Sequence, residues 1–123
     1  KFVRHAVNQA CVKAKVPLVS GAALAFDGQI AVFDTRSADS PCYACLFPAQ
    51  DEYEETLCST MGVFAPLVGI IGTMQAAEAL KLIVGIDPGL VGKLLTINAL
   101  DMNIMRSSLS KDPTCPVCSG NTE

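Results

Sequence analysis

Apolar residues at Phe2, Ala6, Val7, Ala10 and Ala14 recur at helical spacing and predict a helix over residues 2–14, ended by Pro17. The pattern then changes. Leu18-Val19-Ser20-Gly21-Ala22-Ala23-Leu24 is an apolar run of strand length, and its small residues point to close packing against another backbone. Asp27-Gly28 carries a hairpin-turn signal. Residues 29–34 place Ile30, Val32 and Asp34 on one side and Ala31 and Phe33 on the other. Both sides are largely apolar, so a sheet covered on both faces is expected.

Regular patterning stops over residues 35–61. This stretch is rich in Ser, Asp and Pro, and contains an acidic run at Asp51-Glu52-Tyr53-Glu54-Glu55. Segments of that length without secondary structure are uncommon in a compact domain and are usually functional or mobile. A long helix is predicted over 63–84, with Val63, Leu67, Ile70, Ile71, Met74, Ala77, Leu80 and Val84 forming a broad apolar stripe. Pro66 suits its first turn and Gly85 its C-cap. Gly69 and Gly72 fall inside it, where each costs about 1 kcal/mol relative to Ala. Close approach to a sheet or another helix is the simplest reason for both. Residues 92–99 and 102–107 read as two strands joined at Leu100-Asp101. The fold class is therefore α/β: a mixed sheet with packed helices, in which the strand after residues 2–14 continues a parallel arrangement and the later strands run antiparallel.

Composition narrows the function. The 123 residues are half hydrophobic, enough for one domain with a sizeable core. The net charge of −3 and the absence of a Lys/Arg cluster oppose nucleic-acid binding. No secretory signal pattern is present at residues 1–15. The longest uncharged run, Thr56 to Ala77, is broken by Ser59, Thr60, Pro66, Gly69, Gly72 and Gln75, so a buried core helix is expected rather than a membrane span. The chain opens inside a helical pattern with no cap before it, as a fragment of a longer protein would.

Six cysteines carry the chemistry. Cys42-Tyr43-Ala44-Cys45 and Cys115-Pro116-Val117-Cys118 are two CxxC turns, and together they can supply a tetrahedral four-thiolate Zn²⁺ site. Sixty-nine residues separate Cys45 from Cys115. Closing that loop costs roughly 4 kcal/mol, well below the roughly 10–16 kcal/mol of apparent zinc binding seen in small peptides. Four thiolates leave no open coordination position, so the metal is structural rather than catalytic. Two local disulfides or a redox pair are the alternatives. A redox CxxC follows a strand at a helix N-terminus, whereas Pro41 and Pro116 mark loops. A reducing, cytoplasmic setting fits zinc-bound thiolates. Cys58, alone before the long helix, is either a thiolate favoured by the helix N-terminus or an incidental buried cysteine. Cys11 is expected in the core. His5, the only histidine, has no nucleophile at a supporting spacing, and Arg4 is either an anion ligand or a solvated side chain.

These residues resemble a known family. Pro17-Leu18-Val19-Ser20-Gly21-Ala22-Ala23, Gly28-Gln29-Ile30-Ala31-Val32-Phe33, Cys42-Tyr43-Ala44-Cys45-Leu46, the run from Gly62 to Lys81 and Cys115-Pro116-Val117-Cys118 are similar to the C-terminal half of the ubiquitin-activating-enzyme-like adenylyltransferases of the MoeB/ThiF/HesA family. The resemblance implies the C-terminal part of a Rossmann-like activating-enzyme fold. It implies a parent enzyme that uses ATP and Mg²⁺ to adenylate the C-terminal glycine of a ubiquitin-like sulfur-carrier protein, for molybdopterin or thiamin biosynthesis. By resemblance Cys42, Cys45, Cys115 and Cys118 are the zinc ligands, and Cys58 lies where some members place a covalent nucleophile, on a crossover loop at 46–61. Residues 1–123 then form the zinc-binding, carrier-recognising portion. The nucleotide-binding half with its Gly-rich loop is absent, so the isolated chain is expected to be inactive. A homodimer without nucleic-acid or membrane partners is also implied. The competing readings are a free-standing zinc-stapled binding module, a zinc-ribbon nucleic-acid binder and a thiol oxidoreductase.

Overall fold

The computed structural model describes residues 2–47, 62–86 and 89–119. Cys58 and the acidic run lie outside them. Helix α1 spans Phe2–Ala14 and leads into the hairpin of β1 (Leu18–Leu24) and β2 (Asp27–Phe33). A one-turn helix α2 (Tyr43–Leu46), the long helix α3 (Ala65–Val84) and a second hairpin of β3 (Lys93–Asn98) and β4 (Asn103–Ser108) follow. The four strands lie in chain order and all neighbours pair antiparallel. Parallel pairing is confined to two isolated bridges, Ala25 with Val63 and Val32 with Val91.

The two apolar sides read from residues 29–34 meet two separate layers. Ile30 and Val32 are fully buried with Leu67 and Ile71 of α3 and with Ile97 of β3. Ala31 and Phe33 face the other way, onto Tyr43, Leu46 and Phe47. This alternation places α3 on one face of the sheet and the α2 turn on the other.

The first hairpin turns two residues earlier than Asp27-Gly28 suggests. Leu24 pairs with Asp27, so the two-residue connection is Ala25-Phe26, and Ala25 adopts φ 54°. That left-handed conformation is held by neighbours. The N–H of Ala25 donates to the Gly62 carbonyl and the Ala25 carbonyl accepts from Phe64 N–H, both at 2.9 Å. Gly28 is needed inside β2 for a different reason. A Cβ there would lie 2.9 Å from Ile71 Cδ1, and one at Gly21 would lie 2.8 Å from Ile71 Cγ2 and 2.5 Å from Gln75 Cδ. The small residues of β1 thus admit α3 side chains rather than another backbone.

Helix α3 starts with Pro66 in its first turn and ends at Gly85, φ 92°. Its length and mean hydropathy of 1.6 would let it cross a membrane by those criteria alone. The sheet, however, covers its Leu67–Ile71 side. Its charges also sit on that inner side or flank it. Glu78 is 6% exposed, and its carboxylate accepts a 2.7 Å ion pair from the partly buried Lys81. The outward side carries Val68, Leu80 and Ile83, with Ile83 79% exposed. A buried core helix was expected from sequence; burial holds on one face only. No neighbour within the described chain explains Gly69 or Gly72, since a Cβ at either meets nothing within 4 Å.

Candidate functional site

The thiols come together from two loops fastened by the second layer. Cys42 caps α2 from an extended conformation, and the N–H of Cys45 donates to its carbonyl at 3.0 Å. That turn sets both sulfurs of the first pair on one side. The tail returns past the sheet, where Leu109 N–H donates to the Gly92 carbonyl and Lys111 Nζ to the Ala38 carbonyl. Asp112 then forms a turn, its Oδ1 accepting from Thr114 N–H, and Cys115 N–H donates to the Asp112 carbonyl. This brings Cys115 Sγ to 3.7 Å from Cys42 Sγ and Cys118 Sγ to 3.4 Å from Cys45 Sγ.

All four sulfurs lie within 4.8 Å of one another. Zinc–sulfur bonds of 2.3 Å in a tetrahedron require sulfurs about 3.8 Å apart. The donor set therefore fits a four-coordinate metal with only small adjustments. Cys42 and Cys115 are fully buried, Cys45 and Cys118 half-buried. Burial raises the Cys42 thiol, and the Asn8 amide hydrogen bond partly offsets it. Burial also acts to raise Cys115, but the backbone N–H groups of Cys118 and Val117 outweigh it and its pKa falls. Cys118 is pushed well above the thiol range, first by burial and then by its three neighbouring thiols. Four packed thiols cannot all ionise without a compensating cation, which is what a divalent metal supplies. Backbone N–H groups already point at the sulfurs, from Asp112 to Cys45 and from Val117 to Cys115, each at 3.4 Å.

A groove of about 490 Å³ opens beside this centre. It lies on the Tyr43 face of the sheet, over the half that α2 leaves uncovered. Gln29 of β2 lines it with its cross-strand partners Ala22 and Thr96, and Asp27 with its partners Leu24 and Asn98. Met105 and Asn103 close the β4 side, and Arg4 and Tyr43 close the other. Amide and hydroxyl groups beside small apolar side chains suit an extended peptide, whose backbone needs both donors and acceptors. Arg4 is exposed but tethered. Its Nη1 donates to the Gly21 carbonyl at 2.9 Å, which holds the cation at the groove rim.

The sequence missed two features. Asn8 is 1% exposed and reaches both the Cys42 sulfur and the Tyr43 N–H. The groove itself has no local signal, because its lining comes from four strands and two helices. His5 stacks edge-on against Tyr43, with ring centroids 5.2 Å apart, and so joins the aromatic cluster of Phe33, Tyr43 and Phe47. Cys11 is half-buried rather than core. Cys58 lies outside the described residues.

Comparison with known proteins agrees with this architecture. Residues 2–117 match the ThiF family model. Molybdopterin-synthase adenylyltransferase of Escherichia coli is 42% identical over 116 residues, covering 94% of this chain and 46% of that protein. The sulfur carrier protein adenylyltransferase of Thermus thermophilus is 41% identical over 119 residues, covering 94% and 44%. The chain thus spans about half the length of these relatives. The crystal structure of E. coli MccB superposes with a TM-score of 0.75 at 20% identity, over 97% of this chain and 36% of that one, and shows the shared fold. On the strength of the family match across nearly its whole length, this chain belongs to the ThiF family.

Proposed function

We propose that this chain is the carrier-recognising, zinc-holding part of an ATP-dependent adenylyltransferase that activates the C-terminal glycine of a ubiquitin-like sulfur-carrier protein. One observation carries the reading: 42% identity over 116 residues with a molybdopterin-synthase adenylyltransferase. The groove supplies the physical complement. An extended, glycine-ended tail would lie along the groove between Arg4 and Met105, where the Gln29 and Thr96 side chains can pair with its backbone. Zinc in the four-thiolate centre would hold the tail of this chain against α2 and so fix the groove's Tyr43 wall. It contributes no open coordination position to the reaction. ATP and Mg²⁺ would be held by a nucleotide-binding part that relatives about twice as long provide. E. coli MccB, which shares the fold, has been crystallised with ATP. The Cys58 thiolate would attack the carbonyl of the carrier's acyl-adenylate, forming a thioester as the acyl–phosphate bond breaks and AMP leaves. A cytoplasmic setting is in keeping with free thiolates.

The test uses titration calorimetry and ATP–pyrophosphate exchange. The chain should bind a ubiquitin-like carrier, and lose that binding when the carrier's last two residues are removed. Arg4→Ala should weaken binding by about tenfold, the value of one charge-assisted hydrogen bond and of the groove rim it fixes. The chain alone should give no exchange, and exchange should appear when it is joined to a nucleotide-binding half. Carrier binding without exchange in the joined protein would favour a non-catalytic binding module. In the full-length protein, Cys58→Ala should leave adenylation intact and abolish the covalent adduct; an undiminished adduct would remove Cys58 from the mechanism.

The homodimer is proposed on α3. Its outward side has no charge, and two helix-interior glycines there cost about 1 kcal/mol each with no neighbour among the described residues to justify them. Small residues sit in the first half (Ala65, Gly69, Gly72) and large ones in the second (Leu80, Ile83). Two antiparallel copies would set Leu80 of each against Gly69 of the other, which is the self-complementarity a two-fold interface requires. Ile83→Glu should convert a dimer to a monomer by light scattering, while a wild-type chain that is monomeric at all concentrations would reject this face as a dimer contact.

A further inference from the structure

The metal turn and the groove wall are the same piece of chain. Cys42 supplies a sulfur to the four-thiolate centre, and the next residue, Tyr43, lines the groove. One side chain grips both. The amide Nδ2 of Asn8 lies 3.5 Å from Cys42 Sγ and points its N–H at the sulfur. Its Oδ1 accepts from Tyr43 N–H at 3.0 Å. Both contacts are buried, and both reach across more than thirty residues of sequence. Four residues earlier on the same side of α1, Arg4 forms the groove rim beside Tyr43. A hydrophobic residue in place of Asn8 could fill the space but would leave the Tyr43 N–H without its partner and the sulfur without its donor.

We propose that Asn8 is a positioning residue that couples the four-thiolate centre to the groove, holding the Cys42 sulfur with its N–H and the Tyr43 backbone with its carbonyl. Loading the centre then fixes Tyr43 and the Arg4 rim, and the groove is fully formed only in the metal-loaded chain. This inference rests on the metal reading above. It adds a residue that acts through the ligands rather than as one. Groups in that position orient a metal's ligands and typically change metal affinity about 10–100-fold when removed.

Two substitutions separate the two halves of the grip. Asn8→Asp keeps an oxygen acceptor for Tyr43 N–H but loses the donor to sulfur. Asn8→Ala loses both. Cobalt(II) is the probe for the first half, through its sulfur-to-metal charge-transfer band and its rate of transfer to a chelator. Near-ultraviolet circular dichroism is the probe for the second. The chain has no tryptophan and two tyrosines, so a Tyr53→Phe background leaves Tyr43 as the only tyrosine reporting. In Asn8→Asp the charge-transfer band should move to lower energy and cobalt loss should quicken about 10–100-fold, while the Tyr43 signal stays. In Asn8→Ala the Tyr43 signal should also collapse, in metal-loaded protein of unchanged helix content. A wild-type chain that gives no thiolate–cobalt band overturns the metal reading and the coupling with it. A wild-type band that Asn8→Asp leaves unaltered in energy and lifetime overturns the coupling alone. A Tyr43 signal unchanged in Asn8→Ala likewise removes the groove from Asn8's role. If Asn8→Ala does not fold, Asn8→Asp alone decides the sulfur half, and stripping metal from the wild type decides the groove half: an unchanged Tyr43 signal rejects the coupling.

Discussion

Replacing Cys115 with serine is expected to empty the metal centre and to destabilise the chain by about 4 kcal/mol or more, the range in which loss of a structural metal falls. Cys115 is fully buried and 3.7 Å from Cys42 Sγ, so it joins the tail to the α2 turn at the centre's interior. A serine hydroxyl is a poor replacement for a thiolate toward zinc, and three ligands hold the metal far more weakly than four. Without the metal, the tail beyond Leu109 keeps few polar ties to the rest of the chain, such as that of Lys111 Nζ to the Ala38 carbonyl, because its backbone hydrogen bonds are internal. The melting temperature should fall by several degrees for each kcal/mol lost. Elemental analysis should show loss of one zinc per chain, and a chelator should reproduce the melting change in the wild type. Cys11→Ser is the control: that thiol is half-buried on α1, outside the cluster, and its replacement should leave metal content untouched. The pH dependence has a definite sign. All four thiols must be deprotonated to bind metal, so the metal's contribution is present at neutral pH and disappears as acid protonates them. Zinc content unchanged in Cys115→Ser would rule out the four-thiolate centre.

The elements governed by local rules were readable from the chain. Helix α3 announces itself by its apolar stripe, by Pro66 and by Gly85, and the β3–β4 turn by Leu100-Asp101 between two apolar runs. The cysteine pairs were readable for a related reason, since a CxxC turn fixes its two sulfurs locally and only the meeting of the turns is long-range. What escaped was set by tertiary contact. Asp27-Gly28 resembles a turn, yet Gly28 is glycine because Ile71 and Leu67 occupy the space where its side chain would stand. The turn itself falls on Ala25, whose positive φ is held by the Gly62–Phe64 strand-like segment that arrives from far along the chain. Asn8 in the middle of α1 looks like an ordinary polar helix residue. Its meaning depends on a cysteine thirty-four positions away. The outward glycines of α3 meet no contact among the described residues, which is why they count toward a partner rather than toward the core.

The glycines that face α3 give the sharpest test of the packing. Gly21→Ala and Gly28→Ala should each destabilise by about 1–3 kcal/mol, the usual cost of overpacking a closed core. The two act on different atoms of one side chain. A Cβ at residue 28 meets Ile71 Cδ1 at 2.9 Å, and a Cβ at residue 21 meets Ile71 Cγ2 at 2.8 Å. Ile71→Val deletes Cδ1 and keeps Cγ2, at its own cost of about 0.5–1.5 kcal/mol. It should therefore recover much of the loss in Gly28→Ala and little of that in Gly21→Ala. Gln75 adds to the second case, because a Cβ at residue 21 also lies 2.5 Å from its Cδ and would displace the amide from its 3.2 Å bond to the Val19 carbonyl. Denaturant unfolding of the three single and two double variants gives the two coupling energies directly. A strong coupling at Gly28 and a weak one at Gly21 is the expected result. Equal couplings would mean that α3 shifts as a rigid rod over the sheet, and that Ile71 is not the point at which helix and hairpin lock.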